Sequence, residues 1–233
     1  MTYLELVQRL WMESGSSGTS PGPSDVTTQT GEFQRLVTWT NQAWLDIQRA
    51  HQDWDWMRAT ATFTTVAAQA VYPLGTGAGT VGVLAANHKA WARDTGRIYL
   101  TSAGQSSEQY LPFEYYEPWR DVYQFGANRT VYTMPMVMSI SPAKAICLGP
   151  VAAAGYTVSC DYFSAPASMT ADADVPAMPA EFHMAIVYRA LMMYGAYESA
   201  QEVYDRGETE FKKMMFQLDE SRLPEVTFVG ALA

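Results

Sequence analysis

GEFQRLVTWTNQAWLDIQRAHQDWDWMR, residues 31–58, is the stretch whose reading decides the fold. Phe33, Leu36, Val37, Thr40, Trp44 and Ile47 recur at three- and four-residue steps, so they share one stripe of a helix. The spacing predicts an amphipathic helix from about Glu32 to Gln52. Trp54 and Trp56 stand where that period stops and strand-like TATFTT begins. The matching feature lies near the other end, in DADVPAMPAEFHMAIVYRAL, residues 172–191. There a Pro-rich turn leads into a second amphipathic helix. Pro179 suits a first helical turn, and Glu181 suits the positive end of the helix dipole.

Outward from these two anchors the texture is consistent. Tyr3, Leu6, Val7, Leu10 and Trp11 predict a short helix over Thr2–Met12. Ser14–Ser24, SGSSGTSPGPS, has the composition of a flexible loop. Between Arg58 and about Pro166 the period changes to short β-branched and aromatic runs: ATFTTV, AVYPL, RIYLT, QYLPFEYY, MSISP, AICLGP and GYTVSCDYF. One short helix interrupts them at Glu117–Phe125, with Pro118 in an early helical position. Asp94–Arg97 is a turn candidate. After Pro176, Phe182, Ile186, Ala190, Met193 and Tyr197 form a helical stripe. A further stripe holds Val203, Tyr204, Phe211, Met214, Met215 and Leu218. Gly195 and Gly207 weaken this stretch, which places a break between two helices near Ser199. Pro224 ends the helical part.

The fold class predicted is α+β: N- and C-terminal helices form a bundle, with a β-rich, sandwich- or barrel-like middle insertion. The divisions expected are 1–57 for the N-terminal helices, 58–175 for the β-rich part, 176–222 for the C-terminal helices and 223–233 for an extended tail.

Composition narrows the function. The 233 residues are 48% hydrophobic, enough for one large or two small cored domains. Fifteen basic and 24 acidic side chains give a net charge of −9. Holding DNA by phosphate neutralisation needs clustered Lys and Arg, so that class is disfavoured. A repelling surface lets DNA slide past without sticking. Cys147 and Cys160 lie in apolar strand-like sequence, and free buried thiols in a reducing compartment are expected. No run reaches a membrane span and the first residues do not read as a secretion signal. A soluble protein made in the cytosol is the expectation.

Chemistry is mostly missing. His51, His88 and His183 have no metal spacing and read as ordinary surface or bundle-edge histidines. Asp172 and Asp174 form a DxD before a helix, where carboxylates cap free backbone N–H groups. Gly75, Gly77, Gly79 and Gly82 lack the Gly-Lys-Ser/Thr of a phosphate loop and read as a hairpin or surface loop. No catalytic, cofactor-binding or metal-ligating residue is assigned. The 7 Trp, 14 Tyr and 13 Met suit a core plus a protein–protein interface. The candidate partner-contact residues are Leu223, Val226, Phe228 and Val229 near the C-terminus, together with Tyr116 and Trp119. Val226, Phe228 and Val229 are apolar, strand-compatible and outside any predicted core.

GEFQRLVTWTNQAWLDIQ, HQDWDWMRATATF, VYPL, GRIYL and VPAMPAEFHMAIVYRALMMYGAYESA, in that order and spacing, resemble the head–tail adaptor (connector) proteins of tailed bacteriophages, of the SU10-like adaptor type. The resemblance covers about Gly31–Leu223 and leaves out the Ser/Gly/Pro loop and the final tail. It implies a non-enzymatic virion protein at the neck, assembled in the bacterial cytoplasm. Such proteins form rings of typically twelve copies beneath the portal. They extend the DNA channel, let DNA through without specific binding, and offer a platform for tail, nozzle or stopper proteins. No cofactor and no membrane partner is implied. Two other readings stay open: a different neck or tail-completion (stopper) protein, and a carbohydrate-binding module built on Tyr116 and Trp119.

Overall fold

The N-terminal helix α1 (Tyr3–Glu13) starts at a reciprocal cap. The Thr2 hydroxyl accepts from the Glu5 amide at 3.3 Å, and the Glu5 carboxylate accepts from the Thr2 amide at 2.9 Å. Two orphan donors of the first turn are thereby satisfied. The computed structural model describes residues 1–15 and 22–223. Part of the predicted Ser14–Ser24 loop and the whole of 224–233 lie outside the described residues. The chain divides into two units, one made of residues 1–57 with those from 166 onward, the other of 58–165.

The helical unit contains α1, α2 (Gly31–Ala50), α4 (His183–Glu198) and α5 (Gln201–Arg222). The predicted stripe of α2 faces its core: Leu36, Thr40, Trp44 and Ile47 are buried, and Phe33 and Val37 pack at its margin. Helix α4 is apolar on nearly every side and packs against α1, α2 and α5, as a central helix must. Gly195 and Gly207 do more than weaken the helices. A Cβ on Gly195 would stand 2.7 Å from the Tyr204 amide nitrogen, and one on Gly207 3.0 Å from the Tyr188 carbonyl oxygen. The two glycines let α4 and α5 approach until backbone meets backbone. The turn between them passes through Ser199 in the left-handed region at φ 56°.

Residues 166–175 group with the helical unit. The reason is side-chain hydrogen bonding to α2. The buried Gln48 amide donates to Ala167 O at 3.0 Å and accepts from Ala167 N at 2.9 Å. Asn41 Oδ1 accepts from Met169 N at 3.1 Å. An extended segment without a sheet partner finds its backbone partners on the helix instead.

The β-rich unit holds ten strands and one α-helix, α3 (Tyr116–Tyr123). The first sheet has the order β1-β10-β4-β5, with β3 also on β10. It comprises β1 (Arg58–Thr64), β3 (His88–Trp91), β4 (Arg97–Leu100), β5 (Gln109–Tyr110) and β10 (Tyr156–Ser164). β1 runs antiparallel to β10 from Arg58↔Phe163 to Thr64↔Thr157. That register turns Ala61, Phe63, Val158 and Cys160 inward. The second sheet orders β2 (Val71–Tyr72), β8 (Ile146–Gly149) and β7 (Val137–Ile140). Tyr72, Met138, Ile146 and Leu148 from it share one core with the first sheet. A two-stranded parallel ribbon pairs β6 (Tyr132–Thr133) with β9 (Val151–Ala152). Strands β3, β6 and β9 carry too little pattern to be predicted. The Gly-rich stretch is a loop closed by a Gly75↔Val83 bridge.

Candidate partner-binding surface

Each aromatic group singled out in the sequence now has a place. At the Trp corner, Trp54 is fully buried and its indole donates to Ile47 O at 3.0 Å. Trp56 stacks on both Trp44 (5.4 Å) and Trp54 (5.6 Å). This corner is core. Burying one indole removes roughly 200 Å² of apolar area, worth about 5 kcal/mol of transfer free energy.

Trp119 is core as well. It is wholly enclosed in its own unit, and Tyr116 stacks on it at 5.9 Å, half-buried. A ring with no exposed face is no platform for a sugar. The close fit has a cause in sequence: a Cβ on Gly149 would stand 2.5 Å from Tyr123 Cδ2 and 2.8 Å from Trp119 Nε1. Gly149 is therefore the floor on which α3 sits. Leu223 packs at the margin of the helical core, immediately after α5. Val226, Phe228 and Val229 lie outside the described residues.

What sequence reasoning missed is the face that α3 leaves outward. Val122, Phe125, Val131, Tyr132 and Met136 are all exposed, Met136 by 68%, and all come from one 15-residue segment. Exposed large apolar side chains this frequent within one short segment are what a contact surface needs. Its only signal in sequence is the apolar content of VYQF and VYTMPM, which does not tell a buried side chain from an exposed one. Beside it lies a cavity of about 240 Å³ lined by Ala68, Ala70, Tyr123, Gln124, Arg129 and Val151. A second exposed group sits at the β4–β5 edge. Arg97 covers Tyr110 at 5.0 Å, Tyr110 donates to Asp94 at 3.2 Å, and Arg93 lies between Phe113 and Tyr115.

The polar candidates serve structure. Asp174 accepts from the amides of Thr170 (2.6 Å) and Ala171 (2.9 Å), which holds its carboxyl below the usual range. Asp172 accepts from Val26 N at 2.7 Å. Among the described residues no group of His, Cys, Asp and Glu is placed to hold a metal ion. Cys147 and Cys160 are buried and free, and burial pushes both thiols up to about 12. Two of the three histidines depart from the expected surface role. His183 is buried, its Nδ1 facing the Met1 ammonium at 2.8 Å and its Nε2 facing Met178 O at 2.9 Å. His88 is buried on β3, 4.5 Å from the Trp91 ring and 5.8 Å from Tyr162. Only His51 keeps a half-exposed position, 3.2 Å from Asp219. No helix among the described residues is long and apolar enough to cross a membrane.

The chain thus combines a helical bundle with a separately cored β unit that leaves Val122, Phe125, Val131, Tyr132 and Met136 exposed. The family model described as SU10 adaptor protein matches residues 1–227, and the chain belongs to that family. It is a family of structural bacteriophage adaptors rather than of enzymes. None of the curated proteins compared with the chain matches it.

Proposed function

We propose that this chain is a head–tail adaptor that assembles as a ring of twelve copies under the portal of the filled head. In that place it extends the DNA channel and carries the tail, nozzle or stopper proteins below. The observation that carries the reading is membership of the adaptor family over residues 1–227. The two-unit design supports it, because a ring subunit needs one part to touch its neighbours and another to touch what lies above or below. The net charge of −9 suits a wall past which DNA slides without specific binding. The tail from Leu223, with Val226, Phe228 and Val229, is the proposed contact to the portal or to a neighbouring subunit. Tyr116 and Trp119 then act from beneath, fixing α3 so that Val122 and Phe125 face the partner.

Purified protein mixed with its cognate portal and imaged by electron microscopy tests this. A collar of twelve subunits on the portal is expected. Deleting Glu225–Ala233 should leave the monomer folded and abolish the collar. Mature virions with no density for this polypeptide at the neck would end the reading.

A further inference from the structure

The charge of the chain is divided unevenly between its two units. Residues 58–165 carry seven basic and six acidic side chains, and the rest of the chain carries eight basic and eighteen acidic ones. The first group sums to +1 and the second to −10. Copies of such a chain repel where two acidic parts face each other and attract where an acidic part meets basic side chains of the β-rich unit. Of those basic side chains, Arg58 and Arg120 are already paired, with Asp161 and Asp121. Arg93 and Arg97 are exposed and form no ion pair among the described residues. They stand on one connected surface at the β4–β5 edge. Arg97 lies over Tyr110, the Tyr110 hydroxyl donates to Asp94, and Arg93, next to Asp94 in the chain, lies over Phe113 and Tyr115. Tyr110 and Tyr115 are exposed as well. A guanidinium held over a ring is preorganised and keeps its N–H fork for a carboxylate.

The matching surface of the helical unit is the turn between α4 and α5. Glu198, Glu202 and Asp205 are all exposed there, beside the exposed Tyr197. None of the three forms an ion pair among the described residues, and Asp205 takes a neutral donor, the Gln201 amide, at 2.7 Å. Glu202 and Asp205 stand three residues apart on α5, so two like charges share one helix face. Glu198 is the last residue of α4, at the negative end of that helix, and the last turn holds no basic residue. A carboxylate in that position gains from a cation brought by a partner. We propose that the Arg93–Arg97 surface of one copy receives the Glu198–Asp205 turn of the next, with Tyr115 packing against Tyr197. The two surfaces are different parts of the same chain, so the contact is head-to-tail, the kind that closes a ring. This rests on the reading that copies of the chain assemble with each other, and it names the surfaces that join them.

The test uses the full chain, assembled on its cognate portal, with p-benzoyl-L-phenylalanine in place of Tyr115. Isotope-labelled and unlabelled preparations are mixed, irradiated, and digested for mass spectrometry. Cross-links from position 115 to residues 194–209, joining labelled to unlabelled peptides, are expected. The pair Arg93→Glu and Arg97→Glu should lower their yield about tenfold, and so should the pair Glu198→Arg and Glu202→Arg, since facing like charges repel. An equal mixture of the two double variants should restore the yield, because each then offers the other an opposite charge. Rescue only when all four changes sit in one chain would place the contact within a single copy and overturn the proposal. A collar whose cross-links lie elsewhere, or are untouched by either pair of changes, would overturn it and leave the adaptor reading standing. Absence of any collar would overturn both.

Discussion

His88 is the group through which pH reaches the β-rich unit. Its ring is 3% exposed, and neither nitrogen has a hydrogen-bond partner on another residue among the described residues. Burial, followed by the nearby Lys144 charge, holds its pKa down at about 4, against an ordinary 6.5. The folded state therefore binds this proton less well than the unfolded chain does. Stability from the neutral ring is fully present above pH 6.5 and is lost as pH falls through 4. With these two values the loss is roughly 1 kcal/mol at pH 5.5 and roughly 2 to 3 kcal/mol at pH 4.5. The variant His88→Leu keeps an apolar group of similar size and removes the titration. Urea unfolding is followed for both proteins at pH 7.5, 5.5 and 4.5 through the near-ultraviolet signal of the aromatic cluster. Carboxylate effects are common to both and cancel in the difference. Wild type should lose ground to the variant by those two amounts on acidification. A difference that stays constant from pH 7.5 to 4.5 would refute the account of a buried, neutral ring.

Three further outcomes follow from backbone contacts. Gly195→Ala should destabilise the helical unit by about 2 kcal/mol in urea unfolding, since its Cβ meets the Tyr204 backbone rather than a movable side chain. Ser199→Gly should act in the opposite sense and raise stability by about 0.5 kcal/mol, because φ 56° costs glycine little. Gly149→Leu should dislodge α3 from its floor; hydrogen exchange of residues 116–123 should accelerate while the β1–β10 ladder keeps its protection.

The long helices were legible because the period of their apolar residues survives without any knowledge of the partner. Leu36, Thr40, Trp44 and Ile47 face inward whichever helix covers them, and Thr2 with Glu5 caps α1 through neighbours in sequence. Strands β1, β4, β8 and β10 were legible for the same local reason. The two-residue strands β6 and β9 were not, since so short a pair exists only through the parallel partner that tertiary folding supplies.

The sequence by itself determined the α+β class, the order of the helices around a β-rich middle and the break at Ser199. These depend on spacing, turn chemistry and propensity within a few residues. Only the tertiary structure decided that Trp119 is core, that Gly195 and Gly207 are close-approach points, and that His88 and His183 are buried. It also turned Val122, Phe125, Val131, Tyr132 and Met136 outward. Burial is a relation between residues far apart in the chain, and an apolar side chain carries no mark of whether its cover comes from its own fold or from a partner.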